Sequence, residues 1–154
     1  MKKRNTIIPA VYLILKRDKE ILLLRRRNTG FQDGNYSFIA GHVEKNESPQ
    51  SAVCREAKEE AGIGVKEQDL QFEQVLFRTS FAKNKNAFDP SAPDRVDLFF
   101  STEKWQGEPE NMEPEKCDDM QWFSLSDLPK NLFPIVDAFL KKYPKVPFFE
   151  EAGY

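Results

Sequence analysis

Ser48-Pro49 and Ala61-Gly62 mark the two ends of a helix, and the residues between them constrain this chain more than any other feature. Serine can accept a hydrogen bond from an orphan N–H at the helix start, and proline, at the first helical position, has no N–H to leave unpaired. Gly62 is free to take the left-handed conformation that stops a helix. At about 100° per residue, Val53, Ala57 and Ala61 share one stripe with Cys54 beside it, while Glu56, Glu59 and Glu60 share an adjacent face. The stripe of small residues suits close packing against a sheet.

Local energetics do not favour the acidic face. Glu56 faces Glu59 at i,i+3 and Glu60 at i,i+4, each like-charge pair costing a few tenths of a kcal/mol. The three lie toward the helix C-terminal half, where the dipole opposes negative charge. A solvated acidic face is the bland reading. A hard divalent cation would reverse the sign, since Mg²⁺ or Mn²⁺ takes carboxylate oxygens together with water and substrate phosphates. Arg55 can reach back to Glu47 in the preceding loop through a charge-assisted pair and hold that loop over the carboxylates.

The run GHVEKNESPQSAVCREAKEEAGI resembles the Nudix box, G-x5-E-x7-R-E-U-x-E-E-x-G-U with U bulky and aliphatic. Gly41, Glu47, Arg55, Glu56, Glu59, Glu60, Gly62 and Ile63 stand at its fixed positions, within 23 of the 154 residues. Ala57 is small for the first U position, a departure that bears on packing more than on chemistry. The resemblance implies an enzyme that hydrolyses a nucleoside diphosphate linked to another group X, on a loop-helix-loop that binds metal and pyrophosphate. Carried over by position, Glu59 and Glu60 would be metal ligands, Glu56 a ligand or general base, and Glu47 with Arg55 the pair that orients the loop. In MutT-type members the carbonyl just before the first box glycine is often a further ligand; Ala40 stands there, where most relatives have glycine.

The rest of the chain agrees. Its length fits one domain over 1–154, with 144–154 as a C-terminal tail. A formal charge of −2 argues against a stable DNA or RNA partner. Cys54 and Cys117 are far apart and lack a metal-ligand pattern, which reads as reduced thiols, with Cys54 in the core. The basic, then apolar start is broken by Pro9 and has no small-residue cleavage site, and no run reaches the roughly 18 apolar residues of a membrane span. The expectation is a soluble cytoplasmic monomer or homodimer that acts on a small nucleotide.

Strands are expected at 11–15 and 21–25 as a hairpin, then at 36–43, 70–82, 95–101 and 120–124, with a second helix from Phe133. Strands interrupted by one helix and closed by another suggest a mixed sheet covered on both faces; the family's α/β/α sandwich is such an architecture. KNKNAFDPSAPD at 83–94 reads as a long surface loop that shapes a pocket or carries a disordered tip. The tail with its prolines and aromatics either folds back over the core or meets a partner.

Substrate selection must come from outside the box. Arg25, Arg26 and Arg27 end the second strand, with Arg25 and Arg27 on one side and Arg26 on the other; the phosphate-contacting arginine of MutT-type enzymes matches Arg25. A solvated strand end is the alternative. Phe31 is a candidate for stacking on a base, and Phe38 for the core. The segment from Trp105 to Asn131 resembles the C-terminal half of MutT-type nucleotide hydrolases, in which a glutamate of the acidic loop completes the metal site. Glu115 is the best match, ahead of Glu113 and Asp118. Asn131 either reads a purine edge, as the comparable asparagine does in bacterial MutT, or caps the last helix. His42 is expected at a structural or substrate-edge position. A nucleoside triphosphate, with an oxidised purine as one candidate base, is the leading substrate. ADP-ribose, a nucleotide sugar or a dinucleoside polyphosphate is the alternative within the family, and a non-catalytic nucleotide-sensing domain is the alternative outside catalysis.

Overall fold

The structure, a computed structural model, describes residues 4–79 and 93–152. Strand β1 (Ile7–Arg17) turns through Asp18 and Lys19 into β2 (Glu20–Arg26), with Asp18 at φ 50°, a left-handed conformation that aspartate tolerates. Lys16 and Arg17 pair with Ile21 and Glu20, and the two strands then part. The expected strand at 36–43 fills the opening by changing partners at Phe38. Its first half, β3 (Tyr36–Ser37), pairs with β2, and its second half, β4 (Ile39–His42), pairs with β1.

The helix α1 (Pro49–Ala61) follows, then β5 (Gln71–Arg78), β6 (Asp94–Thr102), β7 (Cys117–Ser124), α2 (Pro134–Lys142) and β8 (Phe149–Ala152). Strand β6 runs parallel to β1 and antiparallel to β5, so the sheet is mixed. Its order is β3-β2-β1-β6-β5-β8, with β4 added to β1 and β7 to β2. The helices cover opposite faces, which gives the α/β/α sandwich.

Period-two alternation in the central strands explains both cores. Ala10, Tyr12 and Ile14 of β1 with Ile21 and Leu23 of β2 face α2, where they meet Ile135, Val136, Phe139 and Leu140. Val11, Leu13 and Leu15 with Leu22 and Leu24 face α1, where they meet Ala52, Val53, Ala57 and Ala61. Strands buried on both faces therefore read as unbroken apolar runs. On the α2 side Phe139 stacks on Phe99 with ring centroids 4.9 Å apart and meets Phe38 edge-on at 5.9 Å, while Phe99 stacks in turn on Tyr12 at 4.9 Å.

Two expectations change. Within the segment read as a tail, residues 149–152 are an edge strand: β8 runs parallel to β5, and Gln74 Nε2 donates to the Pro147 carbonyl at 3.0 Å. Asn131 does not cap the last helix, because Phe133 holds the N-cap position and Pro134 begins the helix without a donor to cap. Residues 83–92 of the expected surface loop, and 80–82 of the expected fourth strand, lie outside the described residues; Asp94, read as the loop's last residue, begins β6.

Phe139→Ala should lower the unfolding free energy by about 3–5 kcal/mol, since it removes a fully enclosed ring from its contacts with Phe99, Phe38 and Tyr143. Urea unfolding followed by circular dichroism measures the loss, and a change below about 1 kcal/mol would contradict this account of the core.

Candidate active site

The local order of the site begins at the caps of α1. Ser48 Oγ accepts from the Ser51 N–H at 3.1 Å, and Gly62, at φ 67°, donates its N–H to the carbonyls of Ala57 and Lys58. Gly41 is required for a different reason. A Cβ built there would lie 1.8 Å from Glu56 Oε1, so any side chain at this position would push the Glu56 carboxylate out of its place beside β4.

Arg55 organises that face. Its Nε donates to Glu47 Oε1 at 2.8 Å and its Nη2 to Glu47 Oε2 at 3.1 Å and to the His42 carbonyl at 2.9 Å. Its Nη1 reaches Glu56 Oε1 at 2.7 Å and Glu59 Oε2 at 3.1 Å. One guanidinium thus ties the box loop to two of the three helix glutamates. Glu47 also accepts the Glu44 N–H at 2.9 Å; hydrogen bonds from Arg55 and this amide hold its carboxyl below the usual range. Burial pushes Glu56 up against the pull of Arg55. Glu60 turns from Arg55 and accepts the Ala40 N–H at 3.0 Å; although the residue is only half-buried, desolvation of its carboxyl raises its pKa to about 8.

Arg55, Glu56, Glu59 and Glu60 form one wall of a cavity of about 420 Å³, whose lining also includes Ala40, Gly41, Glu113, Arg25, Arg26 and Lys116. The segment carrying Glu113 is docked on the end of α1, with the Glu110 and Met112 N–H groups donating to the Ala61 and Glu60 carbonyls at 3.0 and 3.1 Å. Carbonyls that a helix end leaves open are thereby satisfied, and Glu113 reaches the cavity beside the helix glutamates. Glu115 is not on the lining; its carbonyl accepts from Asn28 Nδ2 at 3.2 Å.

The arginines do not follow simple alternation. Arg25 pairs with Asp119 across β2 and β7 but Arg26 pairs with Cys117, so Asp118 is an extra residue and the strand bulges there. Arg25 Nε donates to Asp118 Oδ1 at 2.6 Å, which neutralises it. Arg26 donates to two neutral acceptors instead, the Phe31 carbonyl at 2.9 Å and Thr29 Oγ1 at 3.1 Å. It is the better-placed cation for an anionic ligand; Lys116, ion-paired with Glu113 at 3.0 Å, is a second that a metal drawing on Glu113 would release. Arg26 is one of the three strand-end arginines visible in the sequence, where the positional match falls on Arg25; Lys116 has no mark there, because a loop docking leaves no periodic signal.

Phe31 and Asn131 lie apart from the cavity lining. Phe31 is 54% exposed, with its ring edge-on to Phe133 at 6.0 Å. Asn131 Nδ2 donates to the Gly34 carbonyl at 2.6 Å while its own carbonyl accepts the Tyr36 N–H at 2.8 Å, so it ties the approach to α2 onto β3. His42 is on the lining, with Nε2 3.3 Å from Arg95 Nη1; burial and that arginine push the imidazole below its usual pKa, so at neutral pH it can accept from Arg95. Cys54 is half-buried at the edge of the α1-side core, and Cys117 is buried.

A divalent cation fits this donor set. The wall offers only hard carboxylate oxygens, and burial lifts Glu56 and Glu60 in a way an adjacent cation would reverse. Among the described residues no three acidic, histidine or cysteine side chains yet gather as a metal cage, because Arg55 draws Glu56 and Glu59 while the Ala40 N–H draws Glu60. No helix among the described residues is long and apolar enough to cross a membrane.

Residues 6–143 match the NUDIX domain model, and the chain belongs to the Nudix family of hydrolases, enzymes that generally use divalent metal ions. It is 32% identical over 127 residues to the 8-oxo-dGTP diphosphatase of Escherichia coli K12, which covers 81% of this chain and 85% of that protein. It is likewise 32% identical over 123 residues to the NAD-capped RNA hydrolase NudC of Pseudomonas entomophila, covering 80% of this chain, but it spans only 38% of that relative's length. Among solved structures, a MutT NUDIX hydrolase from Burkholderia pseudomallei superposes with a TM-score of 0.76 at 25% identity, over 90% of this chain and 99% of the other.

The folded chain holds the Glu60 proton more tightly than the unfolded chain does. The stability this group provides is therefore full below its ordinary pKa and is lost as pH rises through about 8. In metal-free buffer with a chelator, the thermal transition should fall between pH of about 5 and about 8, and Glu60→Gln should flatten that slope. Equal slopes in the two proteins would show that the Glu60 carboxyl is not desolvated.

Proposed function

We propose that this chain hydrolyses the phosphoanhydride of a nucleoside triphosphate to the monophosphate and pyrophosphate, with Mg²⁺ as the metal and Mn²⁺ as a substitute. The observation that carries the reading is one cavity with Glu56, Glu59, Glu60 and Glu113 on its lining together with Arg26 and Lys116. That is the charge pattern a metal-bound diphosphate needs, carboxylates for the metal and fixed cations for phosphoryl oxygens. The near full-length similarity to a diphosphatase of a modified deoxyguanosine triphosphate supports a triphosphate, and with it an oxidised purine as a base to try.

In this reading Glu59, Glu60, Glu56 and Glu113 hold the metal, with the Ala40 carbonyl as a further ligand; Glu113 replaces Glu115 because it is the one that reaches the cavity. When bound, the metal supplies neutralisation of diphosphate charge and a lowered pKa for the attacking water. Glu56, held in place by Arg55, accepts the proton as water oxygen bonds to phosphorus. The anhydride P–O bond breaks, its electron pair leaves with pyrophosphate or with the nucleoside monophosphate according to whether the α- or β-phosphorus is attacked, and Arg26 and Lys116 take up that charge. Arg55 keeps Glu56 aimed throughout, and Glu47 keeps Arg55 in place.

A second reading, hydrolysis of a dinucleotide pyrophosphate, is favoured by the similarity to NudC relatives, although the chain spans well under half of them. A panel of nucleoside triphosphates, including oxidised purines, with NAD, ADP-ribose and nucleotide sugars, assayed with and without Mg²⁺, separates the two. Measurable binding without turnover of any of them would instead favour a nucleotide-sensing role. Glu59→Gln should lower kcat by about 100-fold or more, beyond what loss of a supporting residue usually costs, with the thermal transition nearly unchanged. Arg26→Ala should raise KM by at least about tenfold, while Arg25→Ala, already paired with Asp118, should do less. Equal turnover by Glu59→Gln and the unmodified chain would sink the reading.

A further inference from the structure

Among the described residues, Ser37 Oγ is the buried side-chain polar atom that has no hydrogen-bond partner. Ser37 is 3% exposed, yet it stands on the lining of the active-site cavity. Alternation explains how it comes to be there. Tyr36, Phe38 and Ala40 turn toward α2, whereas Ile39 packs on the α1 side and Gly41 meets Glu56, so Ser37 shares the face of the box glycine. It pairs across the sheet with Leu24, and Leu24 and the buried Cys117 are also on the lining. Those side chains offer it no strong partner.

An unpaired buried hydroxyl is costly, and alanine at this position would avoid the cost without changing the strand. The carboxylates of the same cavity take other donors: Glu60 takes the Ala40 N–H, and Glu56 and Glu59 take Arg55. A bound diphosphate brings what the pocket lacks. Its non-bridging oxygens only accept hydrogen bonds, and a serine hydroxyl can rotate its proton toward them.

We propose that Ser37 is a substrate contact, its hydroxyl donating a hydrogen bond to a non-bridging phosphoryl oxygen of the bound diphosphate. This rests on the phosphoanhydride reading above and adds a residue on β3, outside the box and outside the charged set. The contact is made by the part of the substrate common to every X, so it serves binding of the diphosphate and not choice of base.

The test uses the full chain, Ser37→Ala and Ser37→Thr, with inorganic pyrophosphate as the probe in Mg²⁺ buffer, titrated by calorimetry, and with thermal unfolding measured alongside. Ser37→Ala should bind pyrophosphate about tenfold more weakly, as the loss of a hydrogen bond to a charged group implies. Its thermal transition should stay level or rise, because an unpartnered polar atom has been removed. KM for the nucleotide substrate should rise by a similar factor, and Ser37→Thr should retain pyrophosphate affinity. Unchanged affinity in Ser37→Ala overturns the assignment, and so does a lowered thermal transition with affinity intact, which would mark a structural hydroxyl bonded to water. If the unmodified chain neither binds pyrophosphate nor turns over any nucleotide, the functional reading itself fails; if it does both and Ser37→Ala matches it, only the role of Ser37 fails.

Discussion

The site depends on one guanidinium. Arg55 stands among Glu47, Glu56 and Glu59, and also holds the His42 carbonyl at the end of β4. Without it, three carboxylates would face one another on and beside a helix whose C-terminal dipole already opposes them. Arginine suits the role because its planar fork presents several donors in fixed directions at once, which a lysine ammonium on a flexible stem does not. The electrostatic result is uneven by design of position: Glu47 falls below the ordinary carboxylate range, while Glu56 and Glu60 rise above it through burial.

Close approach is the second constraint. The small stripe Ala52, Val53, Ala57 and Ala61 lets α1 lie against the sheet, and Gly41 lets β4 pass beside Glu56. The open carbonyls at the helix end then take the N–H groups of Glu110 and Met112, which carries the acidic loop to the cavity. The same elements that fill the α1-side core therefore position the chemistry, so packing and function cannot be varied independently on this face. The α2 face, built on Phe139 against Phe99 and Phe38, is free of that coupling.

Much of this was legible in the chain. Caps of α1 were readable because capping is local, needing Ser48, Pro49 and Gly62 at their places in sequence. The paired apolar strands and the last helix were readable from their periods. The shift of 36–43 between two partners at Phe38 was not, because it answers the parting of β1 and β2, which no residue of that segment encodes. The prolines and aromatics of the tail suit folding back and meeting a partner equally, and the free edge of β5 decides between them.

Residue type and spacing by themselves determined the acidic helix face, the arginine that could answer it, and hence the family and the class of reaction. Those features recur within one helix and the loop before it, where neighbours in sequence are neighbours in space. Tertiary structure alone decided how the two arginines on the lining are partnered, since a bulge at Asp118 pairs that carboxylate with Arg25 and leaves Arg26 on neutral acceptors. It also chose Glu113 over Glu115 and left Ser37 Oγ buried without a partner. The physical reason is that these outcomes depend on which chain segment lies opposite, on donors and acceptors brought together from strands and loops as much as about 90 residues apart, and no local pattern carries that information.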